Sequence, residues 1–186
     1  MQIKGFPGAK YASFKTIEEA QDAFSGSYDD QVAKKKKAKA PGGGRHQWAG
    51  QVNETAWAVD AACSGDPGIM EYRGVVVSDG SELFRQGPFK VGTNNIGEFL
   101  AIVHALALLN KLQDSERMIY TDSRTAMAWV RNKKVKTTLP KNASTYSLYS
   151  LIQRAENWLK GNEYSNPIIK WDTESWGEIP ADFGRK

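Results

Sequence analysis

The chain has 186 residues, 40% of them apolar, with six Trp, seven Tyr and seven Phe, which suffices for one domain with a packed core and excludes global disorder. One cysteine and two histidines exclude an internal disulfide framework and an all-protein zinc site. The net charge of +4 is modest, so its placement along the chain must carry any inference about partners.

No apolar run reaches membrane-spanning length and the N-terminus lacks an apolar signal core, so a cytoplasmic protein without a membrane partner is expected. Residues 1–25 read as a compact fragment: Gly5-Phe6-Pro7-Gly8, a short strand at 10–14, then a helix from Thr16 with Glu18 and Glu19 in its first turn. Residues 26–52 are rich in Ser, Lys, Ala, Pro and Gly and read as a flexible basic linker. The main domain, 53–186, opens with strands at about 54–63, 68–78 and 82–91. A helix at about 95–112, a strand at about 117–122 and a helix at about 123–133 follow. After a loop come a helix at about 143–160, a strand at about 167–171 and an irregular tail. Asp79-Gly80 marks a hairpin. Three meandering strands followed by alternating helix and strand predict an α/β domain with a mixed five-stranded sheet flanked by helices.

Four carboxylates stand out against this frame. Asp60 interrupts the apolar run Ala56-Trp57-Ala58-Val59-Asp60-Ala61-Ala62. Glu98 opens a helix whose next eleven residues include one polar side chain, His104. Asp122 ends the strand Met118-Ile119-Tyr120-Thr121, and Asp182 lies in a turn near the C-terminus. An ionised carboxylate is buried at a cost of several kcal/mol unless a cation or donors compensate. A cluster of hard oxygen ligands suits Mg²⁺ or Mn²⁺, and such ions suit phosphoryl chemistry. Charge is also segregated: residues 123–155 contain no acid but hold Arg124, Arg131, Lys133, Lys134, Lys136, Lys141 and Arg154. With the block Lys34, Lys35, Lys36, Lys37 and Lys39, this places phosphate-attracting surface beside an acidic spot.

Each carboxylate also has an ordinary reading. Asp122 can be a helix N-cap, and Glu98, three residues after Asn95, can close a capping box. Asp182 can be a solvated tail residue. Asp60 resists dismissal, because Asp is depleted in strands and this one is apolar on both faces. Their joint placement in this strand order carries more than any single residue.

That placement, with Gly92-Thr93-Asn94-Asn95-Ile96-Gly97-Glu98, Tyr120-Thr121-Asp122-Ser123 and Trp176-Gly177-Glu178-Ile179-Pro180-Ala181-Asp182-Phe183-Gly184-Arg185, resembles a bacterial type 1 ribonuclease H of the subgroup without the long basic protrusion. Residues 1–25 resemble the second half of the hybrid-binding domain often found upstream. The resemblance implies a ribonuclease H-like fold and a monomer that cuts the RNA strand of RNA–DNA hybrids with two Mg²⁺ ions. Mn²⁺ would substitute, and products would carry 5′-phosphate and 3′-hydroxyl ends. Asp60 would bridge the ions, Asp182 would hold the ion that activates water, and Glu98 and Asp122 would hold the ion at the leaving oxygen. Glu178 would sit at the rim and assist product release. Asn94 and the backbone from Cys63 to Asp66 would contact RNA sugars. Thr93, Asn95 and Thr137 would bind a DNA phosphate, and Trp129 would pack on a deoxyribose, unless its spacing from Ala126 and Val130 turns it inward. Arg124, Lys170 and Arg185 would contact the backbone. Asp66, Cys63 and Arg124 stand where related proteins often have Asn, Ser and Gln. Two other classes stay open: a DNA-directed nuclease or recombinase of the same fold, and a non-catalytic hybrid-binding module.

Overall fold

In a computed structural model of the chain, the structure describes Trp48, Gly50 and residues 51–184. The fragment 1–25, the lysine block at 34–39 and Arg185 lie outside the described residues. Strands β1 (Trp57–Cys63), β2 (Gly68–Val76) and β3 (Glu82–Gly92) form an antiparallel meander. Helix α1 (Asn94–Leu112) leads to β4 (Ile119–Thr121), which pairs parallel to β1. Helices α2 (Arg124–Arg131) and α3 (Tyr146–Gly161) precede β5 (Ile168–Lys170), parallel to β4, and a short α4 (Thr173–Trp176). The five strands lie in the order β3-β2-β1-β4-β5, the mixed sheet that the strand pattern predicts.

Strand alternation divides the interior into two cores. Trp57, Val59 and Ala61 of β1 pack with Met70, Tyr72 and the apolar residues of α1, α2 and α3. Ala56, Ala58, Val75, Val77 and Tyr120 face the other way, against Trp171, Ile179 and Ala181 of the C-terminal segment. Helix α1 is long and apolar enough to cross a membrane by length and composition, yet eleven of its nineteen residues are buried inside the domain. Its one mid-helix polar residue, His104, stacks on Phe84 at 4.0 Å. A Cβ added at Gly97 would meet Ala61 Cβ at 2.6 Å, so glycine lets the first turn of α1 sit directly on β1.

Several boundaries differ from the sequence expectation. The N-cap of α1 is Thr93, whose hydroxyl accepts from the Ile96 amide, so the helix starts ahead of Asn95. Helix α2 ends at Arg131, before Lys133 at φ 52°. Helix α3 begins at Tyr146 because Asn142 Oδ1 accepts from the Ser144 and Thr145 amides, holding that stretch as a turn. The linker boundary moves too. Trp48 is 4% exposed in the second core and meets Trp171 edge-on at 5.8 Å, so the packed domain includes residues ahead of Asn53.

Candidate active site

Three carboxylates converge where β1, α1 and β4 meet. Asp60 sits within β1 and is 7% exposed; Glu98 sits in the second turn of α1 and is 6% exposed. Asp122 follows β4 directly and is half-buried. One oxygen of each lies within 4.8 Å of the others. Neither helix start needs these acids. Ser123 Oγ caps α2 by accepting from the Ala126 amide, and Thr93 caps α1, which puts Glu98 beyond the capping-box position.

The electrostatics of the triplet are those of a site short of positive charge. Burial, then the charges of Asp122, Glu98 and Asp182, push the Asp60 carboxyl up to about 8 against an opposing hydrogen bond from the Ala61 amide. Burial also pushes Glu98 up to about 7, helped by Asp122 and opposed by a Ser123 hydrogen bond and the charge of Lys170. Asp122 Oδ1 is buried without a hydrogen-bond partner among the described residues. An orphaned carboxylate oxygen beside two carboxyls that resist ionisation fits a divalent cation held by hard oxygen ligands.

Residues 52–170 match the RNase H family model. The chain belongs to the ribonuclease H family. Residues 1–24 match a second model, the ribonuclease H1 N-terminal domain. Ribonuclease H of Nitratidesulfovibrio vulgaris is 39% identical over 146 residues, covering 67% of this chain and 92% of its own length. That of Trichodesmium erythraeum is 28% identical over 144 residues, covering 67% and 91%. Among solved structures, a ribonuclease H1 isolated from compost is 21% identical, covers 66% of this chain and 87% of its own, and has a TM-score of 0.45. The enzyme of the archaeon Halobacterium salinarum is 24% identical, covers 62% and 83%, and has a TM-score of 0.42.

Around the triplet of this ribonuclease H, the other expected site residues fall at varied places. Asp182 lies outside the three-carboxylate group, though its charge reaches Asp60; its Oδ2 accepts from the Gly184 amide at 2.8 Å. Glu178 is exposed. Asn94 Nδ2 donates to Glu98 Oε1 at 2.7 Å. Cys63 Sγ donates to the Gly92 carbonyl at 3.4 Å, tying the turn with the exposed Asp66 to the chain just before Thr93. Asn95 and Arg124 are exposed at the starts of α1 and α2. Thr137, half-buried, accepts from the Leu139 amide at 3.1 Å. Lys170 ends β5, where its Nζ donates to the Trp171 carbonyl at 2.6 Å. Trp129 is 8% exposed and meets Phe99 edge-on at 6.3 Å. It sits on the same buried face of α2 as Ala126 and Val130.

Two residues with structural roles escaped the sequence reading. Arg73 reaches from β2 to the carbonyls of Ala181 and Asp182. Glu156, 5% exposed on α3, accepts from Lys134 Nζ at 2.8 Å and from the Val135 amide at 2.9 Å. Glu156 had a legible signal, since it shares a face with Ile152 and Leu159, where a charge is out of place. Arg73 had none.

Proposed function

We propose that this ribonuclease H hydrolyses the RNA strand of RNA–DNA hybrids, with Mg²⁺ held by Asp60, Glu98, Asp122 and Asp182, leaving 5′-phosphate and 3′-hydroxyl ends. The observation that carries this reading is the convergence of three carboxylates around the unpartnered Asp122 Oδ1. Hydrolysis adds water oxygen to the scissile phosphorus and breaks its bond to the 3′-oxygen, which takes up a proton. When bound, divalent ions stabilise charge on the phosphoryl oxygens and lower the pKa of a coordinated water. Mn²⁺ suits the same hard donors.

The chain's own residues supply orientation and substrate choice. Asn94 fixes one Glu98 oxygen at 2.7 Å and so directs the other. In this reading the RNA strand is recognised through its 2′-hydroxyls by Asn94 and the backbone from Cys63 to Asp66. The DNA strand places a phosphate at Thr93, Asn95 and Thr137, beside the amide donors that open the nineteen-residue α1. Arg124 and Lys170 add charge along the backbone, and Glu178 works at the exposed rim. Contacts to sugars and phosphates, rather than base edges, give weak sequence preference. The enzyme acts as a monomer.

A gel assay on end-labelled RNA–DNA hybrid, all-DNA duplex and a duplex with one ribonucleotide, with and without Mg²⁺, tests the reading. The expected result is metal-dependent cutting of the RNA strand and intact all-DNA duplex. Comparable cutting of the all-DNA duplex would make the chain a DNA-directed nuclease of this fold. Binding of hybrid without cleavage in Mg²⁺ or Mn²⁺ would make it a binding module.

A further inference from the structure

Arg73 connects the sheet to the chain segment that carries the fourth carboxylate. In the β1–β2 register it lies directly opposite Asp60. Its guanidinium pairs through Nη1 with Glu82 of β3 at 3.6 Å and reaches residues more than a hundred positions away: Nε donates to the Ala181 carbonyl at 2.9 Å and Nη2 to the Asp182 carbonyl at 2.7 Å. The same group lies over the Phe183 ring at 4.8 Å, and Arg85 approaches that ring at 5.2 Å. Arg85 is itself held by Glu82 at 2.7 Å and Glu71 at 3.2 Å. Ile179 and Ala181 are buried in the second core, and the Asp182 amide donates to the Ile179 carbonyl at 2.8 Å. The backbone on both sides of the Asp182 side chain is therefore anchored, and the planar fork of Arg73 provides two of the anchors.

We infer that Arg73 is a positioning residue for the metal centre: by clamping the carbonyls of Ala181 and Asp182, it sets the Asp182 carboxylate beside Asp60. The inference rests on the proposed reading of Asp182 as a ligand. A lysine cannot reproduce it, because an ammonium on a flexible stem does not present two donors in a fixed fork. Partners that orient ligands typically contribute about 10–100-fold to metal affinity or activity.

The test uses the full chain with Arg73→Gln, Arg73→Lys, Asp182→Asn and the double variant Arg73→Gln/Asp182→Asn. Mn²⁺ binding to the substrate-free protein is read by calorimetry, alongside kcat, KM and the Mg²⁺ dependence of hybrid cleavage. Arg73→Gln should weaken Mn²⁺ binding and lower kcat by about 10-fold or more, with KM for hybrid within about two-fold of the parent. Arg73→Lys should fall between. The double variant should be no worse than Asp182→Asn alone, since both changes disable the same group. The proposal is overturned if Arg73→Gln lowers the melting temperature but leaves Mn²⁺ affinity and kcat unchanged, or if the two defects multiply in the double variant. If Arg73→Gln does not fold, Arg73→Lys decides, and parental metal affinity in it overturns the clamp. Should the parent bind Mn²⁺ yet cut no hybrid, the functional reading fails, while the binding isotherms still decide on Arg73.

Discussion

At the scale of single residues, the site is a place where the fold opposes its own charges. Asp60 and Glu98 are held at about 8 and 7 by burial and by one another's neighbours. In the unfolded chain both would titrate near 4, so between pH 4 and 8 the folded, metal-free protein keeps protons that the unfolded chain has released. Its stability therefore falls as pH rises through that window, by an amount on the order of a few kcal/mol. Thermal melts of metal-free protein from pH 4 to 9 should show the decline, and Asp60→Asn should flatten it; a melting temperature independent of pH would refute the assignment. Metal binding must expel the same protons, so affinity should rise with pH across the window. Asp122→Asn removes the charge of the carboxylate whose Oδ1 is buried without a hydrogen-bond partner among the described residues. It should depress cleavage by more than the roughly 10–100-fold expected for an outer-shell partner, while hybrid binding in a gel-shift assay persists. Substantial turnover in Mg²⁺ would return Asp122 to an ordinary structural role.

Among elements, the close seating of α1 on β1 sets how near Glu98 comes to Asp60. Gly97→Ala places a methyl 2.6 Å from Ala61 Cβ, with Met70 Sδ at 3.1 Å, so the helix must lift. Overpacking of this kind costs about 1–3 kcal/mol, against a gain of at most about 1 kcal/mol in helix propensity. A lower melting temperature together with slower cleavage is expected, and a variant at parental activity would show that the contact does not set the site. The loop after α2 depends on Glu156 in a similar way. Glu156→Ala leaves the Val135 amide without its acceptor, a loss of about 1–3 kcal/mol, whereas the ion pair to the largely exposed Lys134 adds little. Because the loop carries Thr137, KM for hybrid should rise while kcat changes little, and Glu156→Gln should retain most of the parental behaviour; unchanged KM in the alanine variant would argue against the loop's part in binding. Most of these elements were legible from alternation, apolar runs and turn residues, and Asp60 and Glu98 from charges in apolar surroundings. Element ends were less so, because capping depends on which of several neighbouring hydroxyls or amides turns back: Thr93 rather than Asn95, and Asn142 ahead of Tyr146. The packing of Trp129 against Phe99 follows the inward turn that its spacing from Ala126 and Val130 allowed. The clamp made by Arg73 was invisible because the carbonyls it holds lie 108 and 109 positions along the chain, whereas its other partner, Glu82 at 3.6 Å, is an ordinary ion pair on the neighbouring strand.

For the molecule as a whole, Trp48 moves the edge of the folded unit. A lone aromatic in a segment rich in Lys and Gly shows no periodicity, so its burial could not be read from pattern. Removing residues 1–45 should leave folding and cleavage intact while reducing hybrid affinity at low salt and flattening its salt dependence, since the lysines at 34–39 release counterions on binding. Removing residues 1–50 also deletes Trp48, and loss of a buried tryptophan costs about 3–5 kcal/mol. The longer fragment should therefore melt well above the shorter one in calorimetry; equal melting would put Trp48 outside the cooperative unit. The same residue has an optical consequence. Trp171 meets Trp48 edge-on at 5.8 Å and Trp176 at 5.1 Å, and Tyr120 borders both Trp171 and Trp176. Half of the chain's six tryptophans are thus gathered in one cluster, two of them just before the turn that ends in Asp182. Indole transitions held this close couple, so near-ultraviolet circular dichroism and quenched tryptophan emission give the protein an intrinsic, label-free reporter of whether its C-terminal segment is docked, readable during metal titration or unfolding.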